Sequence, residues 1–61
     1  YPNPTSTAWT FNAEGNYVVT NMLGQIIETG EAEVGDQFGE NYPVGMYVLR
    51  MEGTAIKIVK Q

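Results

Sequence analysis

The residues of this chain that could carry out chemistry are carboxylates, because its 61 residues include neither histidine nor cysteine. Asp36 and Glu40 are the one pair whose spacing we consider for glycoside hydrolysis, in which two carboxyl groups act on either side of the scissile bond. The same stretch, with Gln37 and Asn41, offers oxygen ligands for calcium. It lacks the twelve-residue spacing and the terminal bidentate glutamate of a calcium-binding loop. We interpret these side chains as solvated, and the sequence predicts no metal site and no cofactor.

The composition also excludes the common nucleophilic mechanisms. Without histidine and cysteine, neither a Ser-His-Asp nor a Cys-His arrangement can form, and Ser6 lies in a polar segment without a base. A domain this small has little room for a cleft that would enclose a sugar and shift the pKa of a carboxylate. We therefore expect a protein that is not an enzyme.

The charge distribution is acidic and uneven. The net charge is -4, and the only basic residues are Arg50, Lys57 and Lys60. Three cations cannot neutralise a run of phosphates, so we expect no nucleic-acid partner; on a terminal strand they are typical of solvated residues that discourage aggregation. No apolar run approaches the roughly 20 residues of a membrane-spanning helix, so the chain is predicted not to span a membrane. Because it begins with Tyr1 rather than Met, we expect a piece of a longer protein.

Short segments of alternating polarity, separated by glycine and polar residues, predict strands and no helix. Gly24 and the pair Glu52-Gly53 are predicted turns, Gly30 is predicted to break a strand, and Phe38 is expected to point inward. The segment Gly45–Met51 has the strongest strand pattern, and we expect it to be a central strand. It is expected to pair antiparallel with the last segment, Thr54–Val59. The predicted strands are Ala8–Asn12, Tyr17–Thr20, Gln25–Thr29, Glu31–Val34, Gln37–Phe38, Gly45–Met51 and Thr54–Val59.

Aromatic residues fall within or beside these strands. Trp9 lies in an alternating segment of a chain with few large side chains, which favours a place in the core over contact with a ligand. Tyr42, beside Pro43 in a predicted loop, is the better candidate for exposure. Together the pattern predicts an all-β fold, a small sandwich of two antiparallel sheets with about seven short strands.

Four segments, taken in order, resemble the type A C-terminal sorting domain of the type IX secretion system of Bacteroidetes. The resemblance spans essentially the whole chain and implies that the sandwich is immunoglobulin-like. It implies a single C-terminal sorting domain over residues 1–61, with residues 1–7 as a lead-in, fused to an N-terminal cargo protein. The four segments are Tyr1-Pro2-Asn3-Pro4, Asn21-Met22-Leu23-Gly24-Gln25-Ile26-Ile27, Pro43-Val44-Gly45-Met46-Tyr47-Val48-Leu49-Arg50 and Ile56-Lys57-Ile58-Val59-Lys60.

The resemblance also implies a function. Such a domain directs its fused cargo through the outer membrane, with the translocon, a shuttle barrel and a sorting peptidase as partners. The peptidase typically removes the domain, and the cargo is often attached to the cell surface. The expected location is the periplasm in transit, then the cell surface or the medium. The residues that match the family's signal elements, and that we expect to carry or shape recognition, are Leu23, Gly24, Gly45, Tyr47, Lys57 and Lys60.

Two other functions remain open at this point. A carbohydrate-binding or adhesive sandwich would need Trp9 or Tyr42 exposed on a flat face. A passive spacer domain would need no recognition residue at all, and substitutions in its loops and tail would change stability alone.

Overall fold

The computed structural model describes Tyr1 and residues 4–61, which form two antiparallel sheets packed in a small β-sandwich. This confirms the predicted all-β fold. Within the described residues six strands form where about seven were expected, and Thr5 adds an isolated parallel bridge to Lys60. The part of the chain that the structure describes contains no helix long and apolar enough to cross a membrane. The strands are β1 (Trp9–Thr10), β2 (Gly15–Asn21), β3 (Ile26–Ala32), β4 (Gln37–Phe38), β5 (Gly45–Met51) and β6 (Thr54–Lys60).

The larger sheet has the strand order β3-β2-β5-β6, so β5 is an internal strand, as predicted. Strands β5 and β6 pair antiparallel, which confirms the predicted C-terminal hairpin. Its two-residue turn consists of Glu52 and Gly53, whose φ angles are 49° and 80°. Positive φ at both central positions is the conformation that matches the twist of the flanking strands.

The predicted strand break at Gly30 is wrong, because β3 continues through Gly30 to Ala32. Gly30 lies opposite Tyr17 on β2, and a Cβ atom at this position would lie 3.2 Å from the Tyr17 hydroxyl oxygen. The glycine leaves room for the tyrosine side chain, a requirement set by a neighbouring strand and not by local conformation. Val34, predicted to belong to this region's second strand, lies in the turn that follows β3.

The smaller sheet supplies two aromatic side chains of the core, Trp9 and Phe38. Trp9 of β1 pairs with Phe38 of β4, and their rings stack with centroids 5.2 Å apart. Phe11 stacks on Phe38 at 4.5 Å. Trp9 is 1% exposed and Phe38 is buried, which confirms both core predictions. The remaining buried apolar side chains of the cluster are Tyr17, Val19, Ala32, Tyr47, Leu49 and Ile58.

The predicted lead-in over residues 1–7 includes a buried residue that bonds to the last strand. The Thr5 amide donates to Val59 O at 3.0 Å, and the Gln61 amide donates to Thr5 O at 2.7 Å. The Thr5 hydroxyl donates to Ala8 O at 3.0 Å. Pro2 and Asn3, from the proline-rich start of the predicted lead-in, lie outside the described residues. The N-terminal segment at Thr5 thus meets the end of β6.

Candidate recognition surface

Most of the predicted recognition residues lie at one end of the larger sheet. At this end β2 and β6 finish while β3 and β5 begin, as the register between Asn21 and Tyr47 and between Gly45 and Lys60 shows. Lys57 lies three residues before Lys60, on the outer face opposite Val48. The predicted residues that the fold brings to this end are Leu23, Gly24, Gly45, Tyr47 and Lys60.

The turn between β2 and β3 presents Leu23, which is 85% exposed. The amide oxygen of Asn21 accepts hydrogen bonds from the backbone amides of Leu23 (2.9 Å) and Gln25 (3.0 Å). Gly24 has a φ of 86° and donates from its amide to Asn21 O at 3.1 Å, which confirms the predicted turn. Asn21 was not among the predicted site residues, although asparagine that bonds to its own downstream backbone is a known turn signal. This network fixes the loop that holds Leu23 in solvent.

Five further large apolar side chains are exposed at the same end. Large exposed apolar side chains gathered on one part of a small protein are typical of interaction sites. Ile26 lies opposite Thr20, which pairs with Val48, so it shares the outer face of the sheet. We call this end of the larger sheet the apolar end, and its exposed apolar residues are Met22, Leu23, Ile26, Ile27, Val44 and Met46.

Gly45 and Tyr47 are the first and third residues of β5, at the apolar end. Tyr47 is buried, and its hydroxyl donates to Pro43 O at 2.6 Å. This bond ties the segment before β5 to the core and fixes the position of Val44. Gly45 opens β5 opposite Lys60, with open space where a Cβ atom would stand. Tyr47 therefore holds the segment before β5 in place, while Leu23 and Val44 are exposed at the surface.

Lys60 is only 5% exposed, whereas the sequence predicted a solvated side chain that discourages aggregation. Its ammonium donates hydrogen bonds to Thr7 O at 2.5 Å, to Gly39 O, and to Glu40 O at 3.1 Å. It also lies over the Trp9 ring, 5.8 Å from the centroid. A buried charge is tolerated only where polar groups replace its water, and the carbonyl dipoles do so here. Lys60 contributes to the site by fixing the end of β6.

The opposite end of the larger sheet is acidic. Five of the seven carboxylates line one shallow concavity there. The carboxylate of Asp36 closes a turn, because it accepts a hydrogen bond from the Glu33 amide at 2.9 Å. Glu40, its predicted partner, lies beyond β4. No group of metal-ligating side chains suited to an ion occurs among residues 1 and 4–61. We call this end the acidic end, and its residues are Glu14, Glu31, Glu33, Asp36 and Glu52.

A hydrogen-bonded cluster that the sequence did not predict joins Glu28 to two tyrosines. The hydroxyls of Tyr17 and Tyr42 donate to the two carboxylate oxygens of Glu28 at 2.6 and 2.8 Å. Tyr42 is half-buried against the core, although the sequence predicted that it is exposed. Its hydroxyl bonds to Glu28, and its ring packs on that of Tyr47 with the centroids 5.1 Å apart. The partners are 11 and 14 residues apart in sequence, so no local pattern reveals them.

The same cluster raises the pKa of both phenols. The hydrogen bond to Glu28 is the main cause for Tyr17, with burial and the carboxylate charge adding to it, and its pKa rises to about 12. For Tyr42, burial is the main cause, followed by the hydrogen bond to Glu28, and its pKa lies well above the ordinary value. Both phenols are therefore neutral donors at physiological pH. Tyr17 ties β2 to β3, Tyr42 ties β3 to the loop before β5, and neither presents a nucleophile.

Comparison of the chain with protein-family models, with curated proteins and with solved structures finds no match. The exposed apolar end and the acidic end opposite are the features of the molecule from which a function can be inferred.

Proposed function

We propose that this chain is a C-terminal export and sorting module, which directs a fused cargo protein through the outer membrane by the type IX secretion system. The main support is that one end of the sandwich presents exposed apolar side chains on a loop fixed by hydrogen bonds. The sequence segments that resemble the sorting domains supply Leu23, Gly24 and Gly45 at that end. The module acts by binding and performs no chemistry of its own.

The mode of recognition follows from the contrast between the two ends. Exposed apolar side chains gain free energy when a partner protein removes them from water, at about 25 cal/mol per Å². The acidic end carries most of the negative charge, so a partner with an acidic surface is repelled there and not at the apolar end. We infer that the outer-membrane translocon or its shuttle barrel docks on the apolar end. Sorting peptidase cleavage and surface attachment of the cargo follow in this scheme.

The immunoglobulin-like character of the sandwich belongs to the same proposal. The order β3-β2-β5-β6 with a small second sheet places Thr5 beside the end of β6, where it bonds to Val59 and Gln61. Tyr1 itself pairs with Thr10, so a cargo protein joined to Tyr1 leaves the domain beside β1. Cargo and signal can then be presented to the export machinery together.

The alternative of a carbohydrate-binding module has less support. Trp9 is buried beneath Lys60, and Tyr42 is half-buried with its hydroxyl bonded to Glu28. Neither side chain offers a flat face to a sugar, which is the feature that this function requires. The passive spacer differs from the sorting module in one measurable respect, because a spacer predicts that substitutions of Leu23 do not change export.

The test is to fuse residues 1–61 behind a signal peptide and a fluorescent reporter, and to measure the reporter outside the cell. The fusion is expressed in a type IX-competent bacterium and in a mutant that lacks the translocon. Release that depends on the translocon supports the sorting function. Equal retention of the reporter in the periplasm of both strains contradicts it.

A further inference from the structure

An apolar groove of about 390 Å³ lies between β1 and the hairpin of β5 and β6. The smaller sheet is only two strands wide, whereas the larger sheet has four strands of seven residues, so part of the inner face stays uncovered. Leu49, Ile56 and Ile58 line the groove from the larger sheet, and Ile56 is 48% exposed. An apolar side chain placed here would be removed from water.

Tyr1 already pairs with the edge of β1 beside this groove. Its amino group donates to Thr10 O at 2.7 Å, and the Thr10 amide donates to Tyr1 O at 2.5 Å. Two residues that exchange both hydrogen bonds form a hydrogen-bonded pair of an antiparallel ladder. The neighbouring Phe11 bonds in the other direction, to Asp36 O and from the Gly35 amide. Tyr1 therefore makes the one pair from which a third strand of the smaller sheet could continue upstream.

This register fixes the path of any extended polypeptide joined to the nitrogen of Tyr1. Because the pairing is antiparallel, an extension in the same register would place its first residue opposite Phe11 and its second opposite Asn12, where the chain bends after β1. Directly opposed side chains share a face of the sheet, and Phe11 points into the core. The first upstream side chain therefore points toward the groove, and the second points away from it. The Asn12 amide has no hydrogen-bond partner within residues 1 and 4–61, so it is available to the second upstream residue.

We propose that the groove is the docking site of the segment covalently joined to Tyr1, which adds a third strand to the smaller sheet. The inference rests on the proposed function only in assuming that a polypeptide is fused at this point. A peptide bond leaves Tyr1 one N–H, which is enough to keep its hydrogen bond to Thr10. The occupant is an extended strand with an apolar residue directly before Tyr1 and a polar residue before that. The junction is then an ordered strand and not a flexible linker.

The test compares two extensions of identical composition that differ only in register. One protein carries Gly-Ser-Thr-Ile before Tyr1 and the other carries Gly-Ser-Ile-Thr. Burial of one isoleucine side chain in the groove raises the folding equilibrium constant of the first protein about tenfold over the second. The measurements are chemical denaturation of both proteins, and hydrogen exchange at the Asn12 amide, which is expected to slow in the first protein.

An Ile56→Ala substitution in each protein completes the design. Truncating Ile56 removes the wall that the upstream isoleucine contacts, so the advantage of the first extension is expected to shrink. Equal denaturation midpoints of the two extended proteins, together with unchanged exchange at Asn12, would overturn the proposal. A midpoint of the first protein that rises with protein concentration would also overturn it, because a second copy would then be the occupant. Measuring the export of reporter fusions that carry each extension separates the docking proposal from the proposed function. If neither fusion is exported but the first extension still stabilises the domain more than the second, only the proposed function is contradicted.

Discussion

The ammonium of Lys60 lies 5.8 Å from the centroid of the Trp9 ring, in a pocket closed by three backbone carbonyls. Carbonyl dipoles and the negative face of the indole stabilise this cation, and the three carbonyls belong to Thr7, Gly39 and Glu40. The contact therefore joins the N-terminal segment, the loop after β4 and the end of β6. A residue next to the end of the chain thus holds together parts of the domain that are distant in sequence.

Replacing this cation tests its structural role. Lys60→Met is expected to lower the free energy of unfolding by about 3 kcal/mol, because three carbonyls lose their donor in a buried site. Domains of this length have a total stability of roughly 3 to 9 kcal/mol, so much of the fold is at risk. Lys57→Met changes an exposed side chain and serves as the control, with an expected loss of about 0.5 kcal/mol or less. Urea denaturation measures both, and equal losses would contradict the structural role.

Gly39 is a second position where the loop after β4 meets Trp9. A Cβ atom at Gly39 would overlap Cζ3 and Cε3 of Trp9, and the φ of Gly39 is 84°. Gly35 has a similar φ of 96° but open space around it, so it isolates the cost of backbone strain. We expect Gly35→Ala to lose about 1 kcal/mol and Gly39→Ala about 3 kcal/mol or more. Thermal unfolding of the two variants checks the difference, and comparable losses would show that the overlap with Trp9 is relieved without cost.

Local sequence patterns predicted the elements that are themselves local. The alternation in residues 45–51, the turn at Glu52-Gly53 and the turn at Gly24 each depend on neighbours in sequence, and all three form as predicted. The inward direction of Phe38 follows from the same two-residue alternation of strands. The polar residues and glycines of these turns follow from the residue preferences of turns.

Features that depend on distant neighbours were not predictable in this way. Gly30 appeared as a strand break because its packing partner, Tyr17, is on another strand. Lys60 was expected in solvent because its partners Thr7 and Gly39 lie 53 and 21 residues away. Tyr42 was expected to be exposed because the carboxylate of Glu28 that binds it is not adjacent in sequence. Five of the six predicted recognition residues can be placed at one end of the larger sheet only once the strand register is known.

The cluster of Tyr17, Glu28 and Tyr42 predicts a loss of stability in alkali. An unfolded tyrosine ionises near pH 10, whereas in the folded protein the pKa of Tyr17 is about 12 and that of Tyr42 is also raised. A raised folded-state pKa means that the stabilising contribution is complete below pH 10. It is lost progressively as the pH rises toward the folded-state values.

The measurement is the free energy of unfolding between pH 8 and pH 12 for the protein and its phenylalanine variants. Tyr17→Phe and Tyr42→Phe each should flatten the alkaline decline, because each removes a phenol with a raised pKa. Tyr1→Phe is the control, since Tyr1 is exposed and its substitution should leave the decline unchanged. An equally steep decline in all four proteins would show that the cluster does not couple to folding.

The sorting function makes its sharpest prediction at the apolar end. Leu23→Glu places a charge on a side chain that is 85% exposed, so the fold should be preserved while a docking partner loses an apolar contact and must bury a carboxylate. Val34→Glu is the matched control, since Val34 is 69% exposed in the turn at the acidic end. We expect Leu23→Glu to reduce translocon-dependent release of the fused reporter about tenfold or more, and Val34→Glu to leave it near the level of the unmodified fusion. Both variants should unfold within about 0.5 kcal/mol of the parent, which separates recognition from stability. Equal release from the two variants would remove the apolar end from the mechanism and favour the passive spacer.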